Sequence, residues 1–152
     1  MEKYDPQKAA RVWQRVQSAQ PQLMDGASLL ALIKEEWQDA STYLQLSRRV
    51  QGSSKALLFS LYQEEQTHVA CLKGIYTLIT GSHASVQAKT GGKETVANIL
   101  RRCYGREMRA LAWYESRSSD PEYGQVFSRL AAQEREHCKK ILELLGSVPT
   151  TV

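Results

Sequence analysis

The chain is predicted to be all-α, with four long helices arranged as two hairpins and a shorter helix in front of them. Three observations lead there. Apolar residues recur at intervals of about 3.5 to 3.6 through long segments, strict alternation is nearly absent, and Gly and Pro gather at a few boundaries between those segments. With 152 residues the chain is long enough to bury a substantial core as one domain without disulfides.

The leading helix is signalled by Asp5 as N-cap and Pro6 in the first helical position, and runs to about Ala19 before "QPQ". A second segment opens near Asp25 or Ser28 and continues to about Val50, where "QGSSK" offers a stop glycine and a new serine cap. The third runs from Ser54 to about Thr80 and is stopped by Gly81. The fourth spans about Thr95 to Ser118, and "SSDPEY", with Asp120 before Pro121, opens the fifth, which ends at Gly146. Residues 1–24 are thus helix and linker, 25–146 the bundle and 147–152 a tail. Two short turns make antiparallel neighbours. The link "GSHASVQAKTGGKE" at 81–94 is different. It reaches up to about 46 Å at about 3.3 Å per residue, against about 38 Å for a helix of about 25 residues, so it can return along the whole bundle.

Composition removes several function classes. Hydrophobic residues at 42% and charged ones at 24% describe an ordinary globular chain rather than a disordered one. No apolar run approaches the roughly 18 residues of a membrane span, and "MEKYDPQKAARVWQ" is too charged for a signal peptide, so a cytoplasmic location and no membrane partner are expected. The net charge of +4 is scattered without a basic tract, which argues against nucleic acid as a partner. Cys71, Cys103 and Cys138 form no C-x-x-C pair and read as free thiols filling the core or its boundary.

The core-facing series carries the chemistry. In the first long helix it is Leu29, Ile33, Glu36, Ala40, Tyr43, Ser47, Val50. In the second it is Leu58, Leu61, Glu65, His68, Leu72, Ile75, Ile79. The third gives Leu100, Tyr104, Glu107, Leu111, Tyr114, and the fourth Phe127, Leu130, Glu134, His137, Ile141, Leu144. Each helix places a carboxylate in mid-core. The hairpins also repeat one another: Glu36 and Tyr43 are seven apart, as are Glu107 and Tyr114, and each pair precedes a Glu-x-x-His, in "LYQEEQTHVACL" and "LAAQEREHCKKIL".

Burying a lone carboxylate costs several kcal/mol, and no basic residue occupies these seam positions. Two divalent ions carry the charge that four ionised glutamates need and leave two neutral imidazoles to complete the shells. Glu and His at i and i+3 share a helical face, so both reach the bundle axis. An oxygen-rich site containing imidazole suits iron, with manganese a close rival.

The order Glu, Glu-x-x-His, Glu, Glu-x-x-His over residues 36–137 resembles the ferritin-like di-iron carboxylate superfamily, in particular its rubrerythrin-like and bacterioferritin-like branches. The resemblance implies a ferritin-like four-helix bundle with two Fe ions. Glu65 and Glu134 would bridge them, Glu36 with His68 would complete one shell, and Glu107 with His137 the other. Tyr43 and Tyr114 are similar to the tyrosines that hydrogen-bond ligand carboxylates in these families. Four departures narrow the likeness. Ala110 stands where rubrerythrins carry a further glutamate, and no rubredoxin module is present, so a separate electron-donor protein is expected. Gln66 stands where bacterioferritins carry a haem-binding Met, so no haem is expected. The extra helix lies in front of the bundle rather than after it, which favours a homodimer over a cage.

The expected activity is that of a di-iron oxidoreductase, a peroxidase or ferroxidase acting on hydrogen peroxide or dioxygen. Three alternatives use the same residues: an iron-binding protein without catalytic turnover, a hydroxylase of an organic substrate, and a metal-free helical interaction module with a polar core network. Glu35, Glu64, Glu115 and Glu136 fall off the seam and read as solvated, His83 as a loop residue, and Trp13 and Trp37 as packing residues.

Overall fold

The computed structural model describes residues 6, 7, 9–11 and 24–150. Four long helices make the body: α1 Gly26–Ser47, α2 Gly52–Thr80, α3 Val96–Ser116 and α4 Gly124–Leu145. Among the described residues there is no strand, and residues 6, 7 and 9–11 are helical, as a short leading helix requires. The Asp5 cap, the extension to Ala19 and the packing of Trp13 lie outside the described residues.

Local chemistry fixes most helix ends. The Asp25 carboxylate accepts from the Ala27 N–H at 3.1 Å and begins α1, and the Thr95 hydroxyl accepts from the Asn98 N–H at 3.1 Å and begins α3. Gly81, at φ 72°, closes α2 in the left-handed conformation, its N–H returning to the Thr77 carbonyl. Other ends depart from expectation. Helix α1 stops at Ser47 rather than near Val50, because the Arg48 and Arg49 N–H groups turn back to the carbonyls of Gln45 and Leu46. Helix α2 starts at Gly52 with no side-chain cap, so Ser54 does not cap it. The Ser54 hydroxyl instead meets that of Ser147 at 3.2 Å across the end of the bundle. Helix α3 ends at Ser116, two residues early. The Asp120 carboxylate accepts from the Glu122 and Tyr123 N–H groups at 2.9 and 2.8 Å, which spends Pro121 and its neighbours on a turn and delays α4 to Gly124. Only glycine fits that start, since a Cβ there would lie 2.4 Å from the Ser118 carbonyl oxygen.

Helices α1 and α2 pack as one hairpin and α3 and α4 as the other, while the hairpins meet more sparingly along the α2/α4 and α1/α3 seams. The long crossover climbs α1. Gln38 receives the Lys89 N–H and donates to its carbonyl, Gln45 receives the Gly91 N–H, and Arg49 donates to the Glu94 carbonyl. No helix is long and apolar enough to cross a membrane, among the described residues.

The core comes in two pieces. One, toward the α1–α2 turn, gathers Leu46, Leu58, Leu61, Leu100, Ile141 and Leu144. The other gathers Leu29, Ile33, Leu72, Ile75, Phe127 and Leu130. Tyr104 and Ile79 are only half-buried, and Cys103 and Ala110 take fully inward places on α3. Between the two pieces lies a layer of buried polar side chains.

Gly81→Ala should destabilise the fold by about 1–2 kcal/mol, the cost of a left-handed conformation for an L-residue. Gly74→Ala, mid-helix in α2 with nothing within 4 Å of its new Cβ, should stabilise it by about 0.5–1 kcal/mol. Chemical denaturation reads both, and shifts of the same sign would contradict the assigned backbone.

Candidate metal centre

The polar layer consists of Glu36 on α1, Glu65 and His68 on α2, Glu107 on α3, and Glu134 and His137 on α4, each 0 to 1% exposed. Helical spacing puts each Glu-x-x-His pair on one inward stripe. The two imidazole rings stack 5.2 Å apart at an interplanar angle of 17°.

The distances sort the six side chains into two sets. His68 Nδ1 lies 2.9 Å from Glu134 Oε1, 3.2 Å from Glu36 Oε2 and 3.4 Å from Glu65 Oε2. His137 Nδ1 lies 2.7 Å from Glu65 Oε1, 3.2 Å from Glu134 Oε2 and 3.6 Å from Glu107 Oε2. Glu65 and Glu134 therefore give one oxygen to each set, whereas Glu36 belongs to the His68 set and Glu107 to the His137 set. Each set holds three oxygens and one nitrogen.

One of these approaches, His68 Nδ1 to Glu36 Oε2, is an aligned hydrogen bond; the others are proximity alone. All four oxygens of Glu65 and Glu134, and His137 Nδ1, are buried with no aligned hydrogen-bond partner. Native interiors rarely leave such groups unsatisfied. Donor atoms of Glu65, His68, Glu134 and His137 lie within 4.8 Å of one another, as atoms do when they face shared centres rather than each other. This donor set fits metal ions, and its carboxylate and imidazole chemistry suits first-row divalent ones.

The outer edges of the imidazoles are held as well. His137 Nε2 lies 2.8 Å from Glu64 Oε2, and His68 Nε2 lies 2.8 Å from Gln133 Oε1. An ionised carboxylate only accepts, so His137 Nε2 carries a hydrogen, and in the neutral ring the Nδ1 lone pair points inward. Lys140 Nζ in turn sits 2.9 and 3.0 Å from the two Glu64 oxygens. The hydrogen bond from His137 holds the Glu64 carboxyl down at about 2, with Lys140 adding to the effect against partial burial. Glu64 is thus not a purely solvated residue, although its side chain is 40% exposed. Its signal lay in the repeat: Glu64 and Gln133 each stand directly before the glutamate of a Glu-x-x-His, and each reaches the histidine of the other hairpin.

The tyrosines divide. Tyr43 Oη donates to Glu107 Oε1, tying α1 to α3, whereas Tyr114 Oη is buried without a partner. Burial and repulsion, from Glu107 for Tyr43 and from Glu36 for Tyr114, push both phenols well above their ordinary range. Asp39, one turn after Glu36, is 3% exposed and had no place in the sequence-derived site; it accepts from Arg106 Nε. The spacing of three from Glu36 was its sequence signal. Glu35 and Glu136 are exposed, as is His83 in the crossover. Burial pushes the Cys103 thiol up to about 12 and the Cys138 thiol up to about 11, so both stay protonated and unreactive at neutral pH.

Without metal the layer manages its charge with protons. Burial disfavours both imidazolium ions, yet the surrounding carboxylates win and raise both histidines. Burial first, then repulsion by Glu36, Glu107 and Glu134, raises Glu65 well above the carboxylate range. Burial and Glu134 push Glu107 up to about 7. Burial also opposes the Glu134 carboxylate, but the close approach of Glu107, His137 and His68 holds it low.

No family model matches this chain, and the curated proteins and solved structures give no match either.

Metal loading at neutral pH should release protons, because the raised histidines hold theirs there until an ion displaces them. Apparent affinity should accordingly fall as pH is lowered. A dye titration in weak buffer measures both, and pH-independent binding without release would contradict the assigned ligands. Glu64→Ala should weaken metal binding by about 10–100-fold while leaving the chain folded; competition with a chelating dye reads the change.

Proposed function

We propose that the protein is a di-iron carboxylate oxidoreductase of the ferritin-like, rubrerythrin-like kind that reduces hydrogen peroxide or dioxygen. The single observation that carries this reading is the division of oxygens: Glu65 and Glu134 each split their two between His68 and His137, while Glu36 and Glu107 serve one set each. Such a layer holds two ions side by side, and its donors suit iron, with manganese next. When bound, two ferrous ions supply the two electrons that convert peroxide and two protons into two waters. A separate electron-donor protein would restore those electrons.

The chain's own groups would do the remaining work. Glu64 and Gln133 fix the imidazole rings from behind and keep the Nδ1 atoms aimed inward. Tyr43 orients Glu107. Tyr114 presents a buried O–H near Glu36 but without an aligned hydrogen bond, raised well above its ordinary range and hence protonated, as a donor for a small oxygen-containing reactant. The apolar pieces above and below exclude water. At 0 to 1% exposure the six residues admit a molecule of two heavy atoms far more readily than an organic substrate, which favours peroxide or dioxygen over hydroxylation. A cavity of about 370 Å³ opens over Glu64 and Gln133, at the outer edges of the imidazoles.

Stopped-flow oxidation of the ferrous protein should be faster with peroxide than with dioxygen, and should turn over repeatedly with a supplied reductant. A single stoichiometric oxidation would instead identify an iron-binding ferroxidase, and negligible rates with both would reject the redox role. Glu65→Ala and Glu134→Ala should each abolish dinuclear loading by elemental analysis; two ions per chain in either variant would refute the bridging assignment.

A further inference from the structure

On the opposite seam a groove of about 750 Å³ runs between α1, the crossover and α3. Its size suits a small ligand. We propose that it binds a small polyanion, a molecule carrying two or more carboxylate or phosphate groups.

The charge is concentrated there. Lysine and arginine outnumber acids only 20 to 16 over the whole chain, whereas the groove is lined by Lys34, Arg49, Lys89, Arg102 and Arg106 against Glu35 alone. Glu94, which pairs with Arg102, and Asp39, which pairs with Arg106, lie outside the lining; even counting them the cations prevail, five to three. Among the described residues Lys34 and Lys89 pair with no carboxylate. These cations come from α1, the turn after it, the crossover and α3, so an anion with one charge would meet only part of them. A molecule with several anionic groups answers the arrangement.

The wall is built rather than fortuitous. Gln38 clamps both backbone groups of Lys89, at 2.7 Å to its N–H and 3.1 Å to its carbonyl, and Gln45 takes the Gly91 N–H at 3.1 Å. Arg49 fixes the Glu94 carbonyl at 2.7 Å. The crossover is thereby held against α1, and a preorganised wall spares a ligand the cost of ordering it. Arg106 is held from below through Asp39 and through Cys103 Sγ at 3.3 Å, which keeps its guanidinium in the groove. Among the described residues no aromatic side chain lines the groove, which favours a small molecule over single-stranded nucleic acid stacked by its bases.

The site is independent of the metal reading and is tested on the full metal-free chain at low ionic strength, by calorimetry and by amide chemical shifts. The probes are inorganic pyrophosphate and tricarballylate, one arm for each anion chemistry. At least one should bind saturably, with shifts concentrated at residues 87–92 and around Arg102 and Arg106. Lys34→Glu combined with Lys89→Glu should weaken it by about tenfold or more. Lys55→Glu with Lys139→Glu, on other surfaces, should leave it nearly unchanged. Absence of saturable binding by both probes, shifts scattered over the surface, or equal loss in the two double variants would overturn the proposal.

Discussion

Charge compensation in the middle of the bundle is the constraint on which the rest depends. Four carboxylates that point inward from four different helices repel one another in a medium that solvates them poorly, at several kcal/mol per ion. Hydrogen bonds relieve this only in part: Tyr43 donates to Glu107 and His68 meets Glu36, whereas the oxygens of Glu65 and Glu134 have no aligned partner. Relief must come from cations, whether protons shared with His68 and His137 or metal ions seated between the same atoms. The two states are alternatives, so loading the site and discharging its protons are one event seen from two sides.

The surrounding structure follows from holding those groups in register. Two apolar pieces brace the polar layer from either end, and the supports cross between hairpins: Tyr43 to Glu107, Glu64 to His137, Gln133 to His68. Apolar side chains from both hairpins meet in each of those pieces. The polar layer ties the halves as well, so the geometry of either set of donors depends on how the halves dock. Charge also differs between the sets, because a carboxylate backed by Lys140 stands behind His137 and a neutral amide stands behind His68.

Much of this was legible from residue order. Four helices, the antiparallel pairing and the returning crossover follow from apolar spacing, turn residues and link length, and the four glutamates and two histidines of the layer stand out because each interrupts an apolar stripe. What escaped notice depends on contacts between distant parts of the chain. Glu64 looks solvated on its own helix and becomes a partner only when α4 brings His137 to it. Asp39 sits beside the seam, and its role depends on Arg106, 67 residues away. The late start of α4 arose from a local competition, in which the Asp120 side chain satisfies two N–H groups in a turn before the helix begins.

The internal repeat gives the polar layer an approximate twofold symmetry. Each hairpin contributes one terminal glutamate, one shared glutamate and one histidine, so half of this chain cannot enclose an ion pair but two identical halves, facing one another about a twofold axis, could. Joining them by the strap along α1 removes the requirement for identity. Glu64 and Gln133 hold equivalent places in the two halves but differ in charge, so the twofold relation within the layer is broken just behind the imidazoles.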